Sequence, residues 1–163
     1  MKILIAVTSS ISYALVKGQL KYLNNNGMEV YFVCAFDPTI EALVKSEGAT
    51  YIQLGLEREI SIFKDLKAIL EAIKIIKNIQ PDIINASTPK AGLIFMIAAQ
   101  FISKVYPIFT LRGLRSDTLT GLKRQIVKFT EYLSCRLAKK VIVISPSLQD
   151  HAVKVNILKR NKI

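Results

Sequence analysis

An α/β fold built on one parallel, doubly wound sheet, with helices on both faces in three αβα layers, is what this sequence predicts. Three observations lead there. Short apolar runs alternate with stretches of helical period along the chain. The runs are nearly continuous rather than alternating apolar and polar, which marks strands covered on both sides. With 163 residues and 51% hydrophobic content, the chain can bury one full core and is too short for two ordinary domains.

The elements follow in order. Met1 and Lys2 precede ILIAV, and an apolar stretch of five residues that runs into Thr8, Ser9 and Ser10 reads as a first strand over 2–7 rather than a secretory signal. Further strands are expected at 29–34, 50–54, 82–86, 107–111 and 141–145. The clearest helix covers 62–79, where Ile62, Leu66, Ile69, Ile73 and Ile76 recur three or four residues apart until Pro81 stops the pattern. A second runs over about 121–139, with Leu122, Ile126, Phe129, Leu133 and Leu137 on one stripe and Lys123, Arg124, Lys128 and Arg136 outside it. Strand-helix alternation of this length requires parallel pairing with crossover helices.

Composition excludes several classes. Cys34 and Cys135 are isolated thiols with no metal-ligand spacing, which fits a reducing cytoplasm. The longest apolar run, 91–102, has twelve residues, well short of a bilayer span. Charge is uneven: residues 104–163 carry thirteen Lys and Arg against three Asp and Glu, whereas residues 1–103 carry ten against nine. Such a basic field attracts polyanions. It lacks the interleaved aromatics of a single-strand platform and any DNA-reading motif, so no nucleic-acid partner is expected.

In open α/β sheets ligands bind beyond the carboxyl ends of the strands. The loops to watch are therefore 8–12, the turn at 36–38, 87–90 and 112–117. No G-x-G-x-x-G or Walker-type glycine loop occurs, which disfavours dinucleotide and P-loop sites. The single histidine, His151, cannot assemble a triad or a metal cluster and reads as a surface residue. Arg112, Arg115 and Lys90 gather on one sheet edge, where guanidinium forks match phosphate oxygens, although either arginine could instead serve a cap or pair with Asp117. Ser87 or Thr88 caps a helix that begins at Pro89, and the free amides there suit an anionic or hydroxylated ligand as well.

Six segments together resemble a known family. GQLKYL at 18–23 with Gly27 and Val30, REIS at 58–61 followed by Asp65, TPKAG at 88–92, RGLR at 112–115, GLKR at 121–124 and VIVISPSL at 141–148 are similar to the amino-terminal half of bacterial family-4 glycosyltransferases of the surface-polysaccharide type. The resemblance covers essentially the whole chain.

That resemblance implies a GT-B enzyme of two Rossmann-like domains across a cleft, with residues 1–163 as the acceptor-side domain. A carboxy-terminal domain, absent here, would bind the nucleotide-sugar through paired glutamates. It implies a retaining transfer from a nucleotide-sugar, of UDP type, to a lipid-linked acceptor, with no cofactor or metal. Arg112 would act near the reacting centre, Arg115 and Lys90 on acceptor or phosphate beside Gly113, and Ser9 and Ser10 on sugar hydroxyls. Arg58 and Asp65 match the family and could equally pair at a helix entrance. Relatives often carry histidines where this chain has Arg112, Asn85 and Ser87, so no histidine base is available and cations that stabilise the departing diphosphate matter more. Lys123, Arg124, Lys128 and Arg136 would dock the protein on the anionic inner face of the cytoplasmic membrane. Three other readings stay open: a basic binding module for anionic lipid, a noncatalytic subunit of a split glycosyltransferase, and an unrelated flavodoxin-like domain.

Overall fold

The computed structural model describes residues 1–56 and 61–163. Among them, strands β1 (Lys2–Ala6), β2 (Glu29–Cys34), β3 (Thr50–Gln53), β4 (Ile83–Ala86), β5 (Tyr106–Leu111) and β6 (Lys140–Val143) form one sheet in the order β3-β2-β1-β4-β5-β6. Every neighbouring pair is parallel. Helices α1 (Gln19–Asn25), α2 (Pro38–Ser46), α3 (Ile62–Ile79), α4 (Pro89–Ala99), α5 (Gly121–Leu137) and α6 (Pro146–Lys154) connect or follow the strands. The arrangement is Rossmann-like, and α3 begins and ends where the sequence pattern places it.

Register sorts the side chains onto two faces. Leu4 pairs with Ile84 and Ala6 with Ala86, which pairs in turn with Phe109, so these side chains share one face with Leu111 and Val141. That face packs against Ala72 and Ile76 of α3 and Ile94, Phe95 and Ala98 of α4. On the other face Ile3, Ile5 and Val7 of the β1 segment lie beside Val30, Phe32 and Cys34, covered by Leu20 of α1 and Val44 of α2. Asp37 starts α2 by accepting from the amides of Thr39 (3.0 Å) and Ile40 (3.2 Å), with Pro38 at the first helical position.

Helix α4 is apolar all round because α3 and α5 flank it while the sheet lies beneath. Its approach to β5 is close: a Cβ on Gly92 would stand 2.9 Å from Cδ2 of Phe109 and nearer still to Cε2.

One expected stripe needs correction, and another a change at one described position. On α5, Leu122, Ile126 and Phe129 are 76%, 43% and 61% exposed, and the residues turned inward are Val127, Glu131, Ser134 and Cys135. On α3, Leu66 is exposed, whereas Ile76 is buried and Ile69 and Ile73 pack against the core as expected, beside the buried Ala68, Ala72 and Ile79. On α5, seated close to α4, small or hydrogen-bonding residues occupy the contact, and larger apolar residues such as Leu122 and Phe129 are left on the outer side. Among the described residues no helix is long and apolar enough to cross a membrane.

Candidate functional site at the sheet switch point

The chain winds outward from β1 toward β3 and then from β4 toward β6, so the connections leaving β1 and β4 diverge to opposite faces. A crevice opens there, at the carboxyl ends of adjacent strands. It has a volume of about 400 Å³ and is lined by Thr8, Ser9, Ser12, Thr88, Pro89, Lys90 and Arg115. Its lining is made of hydroxyls and cationic side chains.

Its floor is fixed by two threonines. Thr88 Oγ1 accepts from the Thr8 amide at 2.9 Å and lies 2.7 Å from Thr8 Oγ1, both residues being buried. Thr88 occupies the N-cap position of α4 in an extended conformation, yet no side-chain hydrogen bond caps the helix. The hydroxyl that would have capped α4 instead joins the loop after β1 to the loop after β4. On the first loop, Ser9 Oγ lies 3.3 Å from Ser12 Oγ. Ser10 turns to Asp37, and its hydroxyl is the main cause holding that carboxyl below the usual range. Ser10 therefore supports the start of α2, and Ser9 faces the crevice.

Lys90 lines the crevice with its stem, while its ammonium forms an ion pair with Asp65 near the start of α3. The Asp65 carboxylate also accepts from the Ser61 amide at 3.3 Å. Arg58 lies outside the described residues.

The loop after β5 carries both arginines. Arg115 is exposed and faces the crevice. Arg112 is half-buried just past the end of β5, outside the residues that line the crevice, and its Nε is buried without a hydrogen-bond partner among the described residues. Burial pulls its pKa below the ordinary arginine range. Gly113 is exposed in the same loop. Asp117 pairs not with an arginine but with His151, Oδ2 to Nε2 at 2.8 Å, which ties α6 to this loop. Thr110 Oγ1 donates to Asn85 Oδ1 at 2.7 Å, and Ser87 Oγ is a second buried polar atom with no partner among the described residues.

Sequence reasoning did not single out Thr8 or Ser12, although it marked their loop, and it named Thr88 only as a helix cap. Glu131 went unnoticed. It is one of only three acids in the basic last third, and that isolation is the one signal that could have drawn attention to it. Among the described residues no cluster of three metal-ligating side chains occurs. Lys123 and Arg124 are exposed on α5, Lys128 is partly exposed, and Arg136 is exposed near the helix end. They lie along α5, which begins after the arginine loop.

Residues 2–145 match the family model described as glycosyl transferase 4-like. A Staphylococcus aureus protein, capsular polysaccharide biosynthesis glycosyltransferase CapM, is 35% identical over 162 residues, covering 99% of this chain and 42% of that protein. Among solved structures, a glycosyltransferase from Rickettsia africae superposes with a TM-score of 0.75 at 18% identity, covering 99% of this chain and 41% of the other. Anabaena HepE in complex with UDP and glucose gives 0.70 at 19% identity, covering 99% and 42%. S. aureus MnaA in complex with UDP gives 0.74 at 14%, covering 99% and 43%. These structures share the fold, and the chain spans less than half the length of each relative.

Proposed function

Since the chain belongs to the glycosyl transferase 4-like family, we propose that it forms the acceptor-side half of a retaining glycosyltransferase of surface-polysaccharide synthesis. The donor is a nucleotide-sugar and the acceptor a lipid-linked, diphosphate-bearing glycan. A carboxy-terminal domain supplies most of the donor site. The similarity to CapM supports the polysaccharide setting, and the UDP named with HepE and MnaA supports a UDP-linked donor.

The observation that carries this reading is the composition of the crevice. Ser9, Ser12, Thr8 and Thr88 line it with hydroxyls suited to a sugar, and Arg115 lines it with a fork matched to phosphate oxygens. Arg112 carries a buried donor, unpartnered among the described residues, at the end of the adjacent strand. A charge developing on a departing diphosphate near that edge would be stabilised by donors already in place. With no histidine in the crevice, the leaving diphosphate itself takes the acceptor proton in this reading.

Membrane docking fits the same orientation. Leu122, Ile126 and Phe129 stand exposed on α5 between Lys123, Arg124 and Lys128, an amphipathic outer face with cationic flanks. Such a face would hold the crevice near anionic headgroups at the cytoplasmic surface, where a lipid-linked acceptor presents its sugar.

The test uses a complete enzyme that contains this domain, supplied with UDP-sugars and lipid-linked acceptor. Arg112→Ala and Arg115→Ala should each reduce transfer at least tenfold with unchanged melting temperature. Full activity in both variants would remove the arginine edge from the mechanism.

A further inference from the structure

We propose that Glu131 is a positioning residue for the crevice, a buried carboxylate on α5 that fixes the loop carrying Arg112 and Arg115. Its Oε1 accepts from the Arg115 amide at 2.6 Å and from the Ser116 amide at 3.3 Å, and its Oε2 accepts from Ser116 Oγ at 2.7 Å. The side chain is 1% exposed. All three donors are neutral, and they belong to two consecutive residues at the start of the 3₁₀ turn Arg115–Thr118.

A carboxylate so deeply buried against neutral donors is a costly way to fill space on a helix. An apolar residue would pack there without desolvating a charge. What the carboxylate supplies is geometry. Converging the amides of Arg115 and Ser116 on one oxygen sets the backbone from which the Arg115 side chain reaches the crevice. The anchor sits on α5, a helix packed along α4, so the loop takes its position from a rigid element rather than from its own sequence. Glu131 does not line the crevice itself and acts through the loop. The role as a determinant of acceptor binding rests on the acceptor-side reading above, whereas the anchoring of the loop does not.

The test uses the 163-residue chain, uniformly labelled with nitrogen-15, and two substitutions. Glu131→Gln keeps a carbonyl oxygen for both amides and can donate to Ser116 Oγ. Glu131→Leu keeps the volume and has no acceptor. Two readouts are taken, amide hydrogen exchange at residues 115 and 116, and the affinity for inorganic pyrophosphate from shifts of crevice amides. Glu131→Gln should keep slow exchange and an affinity within twofold of the parent. Glu131→Leu should melt as a folded protein, exchange those two amides at least tenfold faster and bind pyrophosphate at least fivefold more weakly. Unchanged exchange in Glu131→Leu overturns the proposal, as does a Glu131→Gln protein that loses protection of those amides. If Glu131→Leu fails to fold, the Glu131→Gln exchange rates decide alone. If the parent chain binds no pyrophosphate, the acceptor-side reading is what fails, and the exchange rates still decide whether Glu131 sets the loop.

Discussion

Lys90 and Asp65 form an ion pair whose side chains are only 7% and 13% exposed, joining the first turn of α4 to the first turn of α3 at the mouth of the crevice. The pair sets where one wall of the crevice stands. Removing one partner of a buried pair takes away part of what offsets the burial of the other. Asp65→Ala should therefore lower unfolding free energy in urea by about 3 kcal/mol, while the double change Asp65→Leu with Lys90→Met should recover most of that loss. Stability equal to the parent in Asp65→Ala would show that the pair contributes nothing.

Gly92 gives a packing prediction. The Phe109 ring occupies the space a Cβ would need, so Gly92→Ala should destabilise by about 1–3 kcal/mol through overpacking. Pairing it with Phe109→Leu, which clears the ring, should restore part of the loss. A Gly92→Ala protein with an unchanged denaturant midpoint would show that α4 can shift without penalty.

The Glu131 carboxyl gives a pH dependence. Burial is the leading cause of its shift and pushes its pKa above the ordinary glutamate value, although its three hydrogen bonds pull the other way. With the folded value raised, the native state holds this proton more tightly than the unfolded chain does. The contribution is full below the unfolded pKa and is lost as pH rises through the folded one. The stability of the parent relative to Glu131→Gln should therefore increase as pH falls through the acidic range. Melting curves of the two proteins that shift in parallel from pH 7 to pH 4 would contradict this.

Much of the fold was legible because its signals are local. Apolar runs such as ILIAV and VIVIS can only be strands at that length, and Pro81 marks the end of α3. The crevice was legible as a set of loops, since a doubly wound sheet places its ligand site by topology. What escaped was tertiary. The inward face of α5 is chosen by its fit to α4 and to the Arg115–Thr118 turn, and so it carries Glu131 and Ser134 rather than the larger Leu122 and Phe129. Periodicity finds the hydrophobic stripe of a helix but does not say which side faces the core when close packing favours small residues. The same limit applies to Lys90, whose ion pair with Asp65, 25 residues earlier, depends on the starts of two helices meeting at one edge.

The thiols should be inert. Burial pushes Cys34 up to about 11 and Cys135 up to about 12, so neither is a thiolate at neutral pH. A disulfide-exchange reagent should label neither residue in the native protein and both in denaturant. Rapid native labelling would mean that the segments around them open readily.

For membrane docking, vesicles containing anionic lipid should sediment the protein and release most of it on raising salt, because the cationic flanks are screened. Lys123→Glu with Lys128→Glu should weaken binding strongly, and Phe129→Ser should reduce the fraction that resists salt. Equal binding to neutral and anionic vesicles would end the electrostatic part of the idea.

The central claim is that the crevice between β1 and β4 receives the diphosphate-linked acceptor. It is tested most directly by titrating the nitrogen-15-labelled chain with a water-soluble, short-chain diphosphate-linked sugar and following the amide resonances. Saturable shifts concentrated at Thr8 to Ser12, Thr88 to Lys90 and Arg112 to Asp117, and reduced by Arg115→Ala, are the predicted result. Shifts confined to the opposite edge of the sheet, or saturable binding that leaves those three loops unmoved, would contradict it.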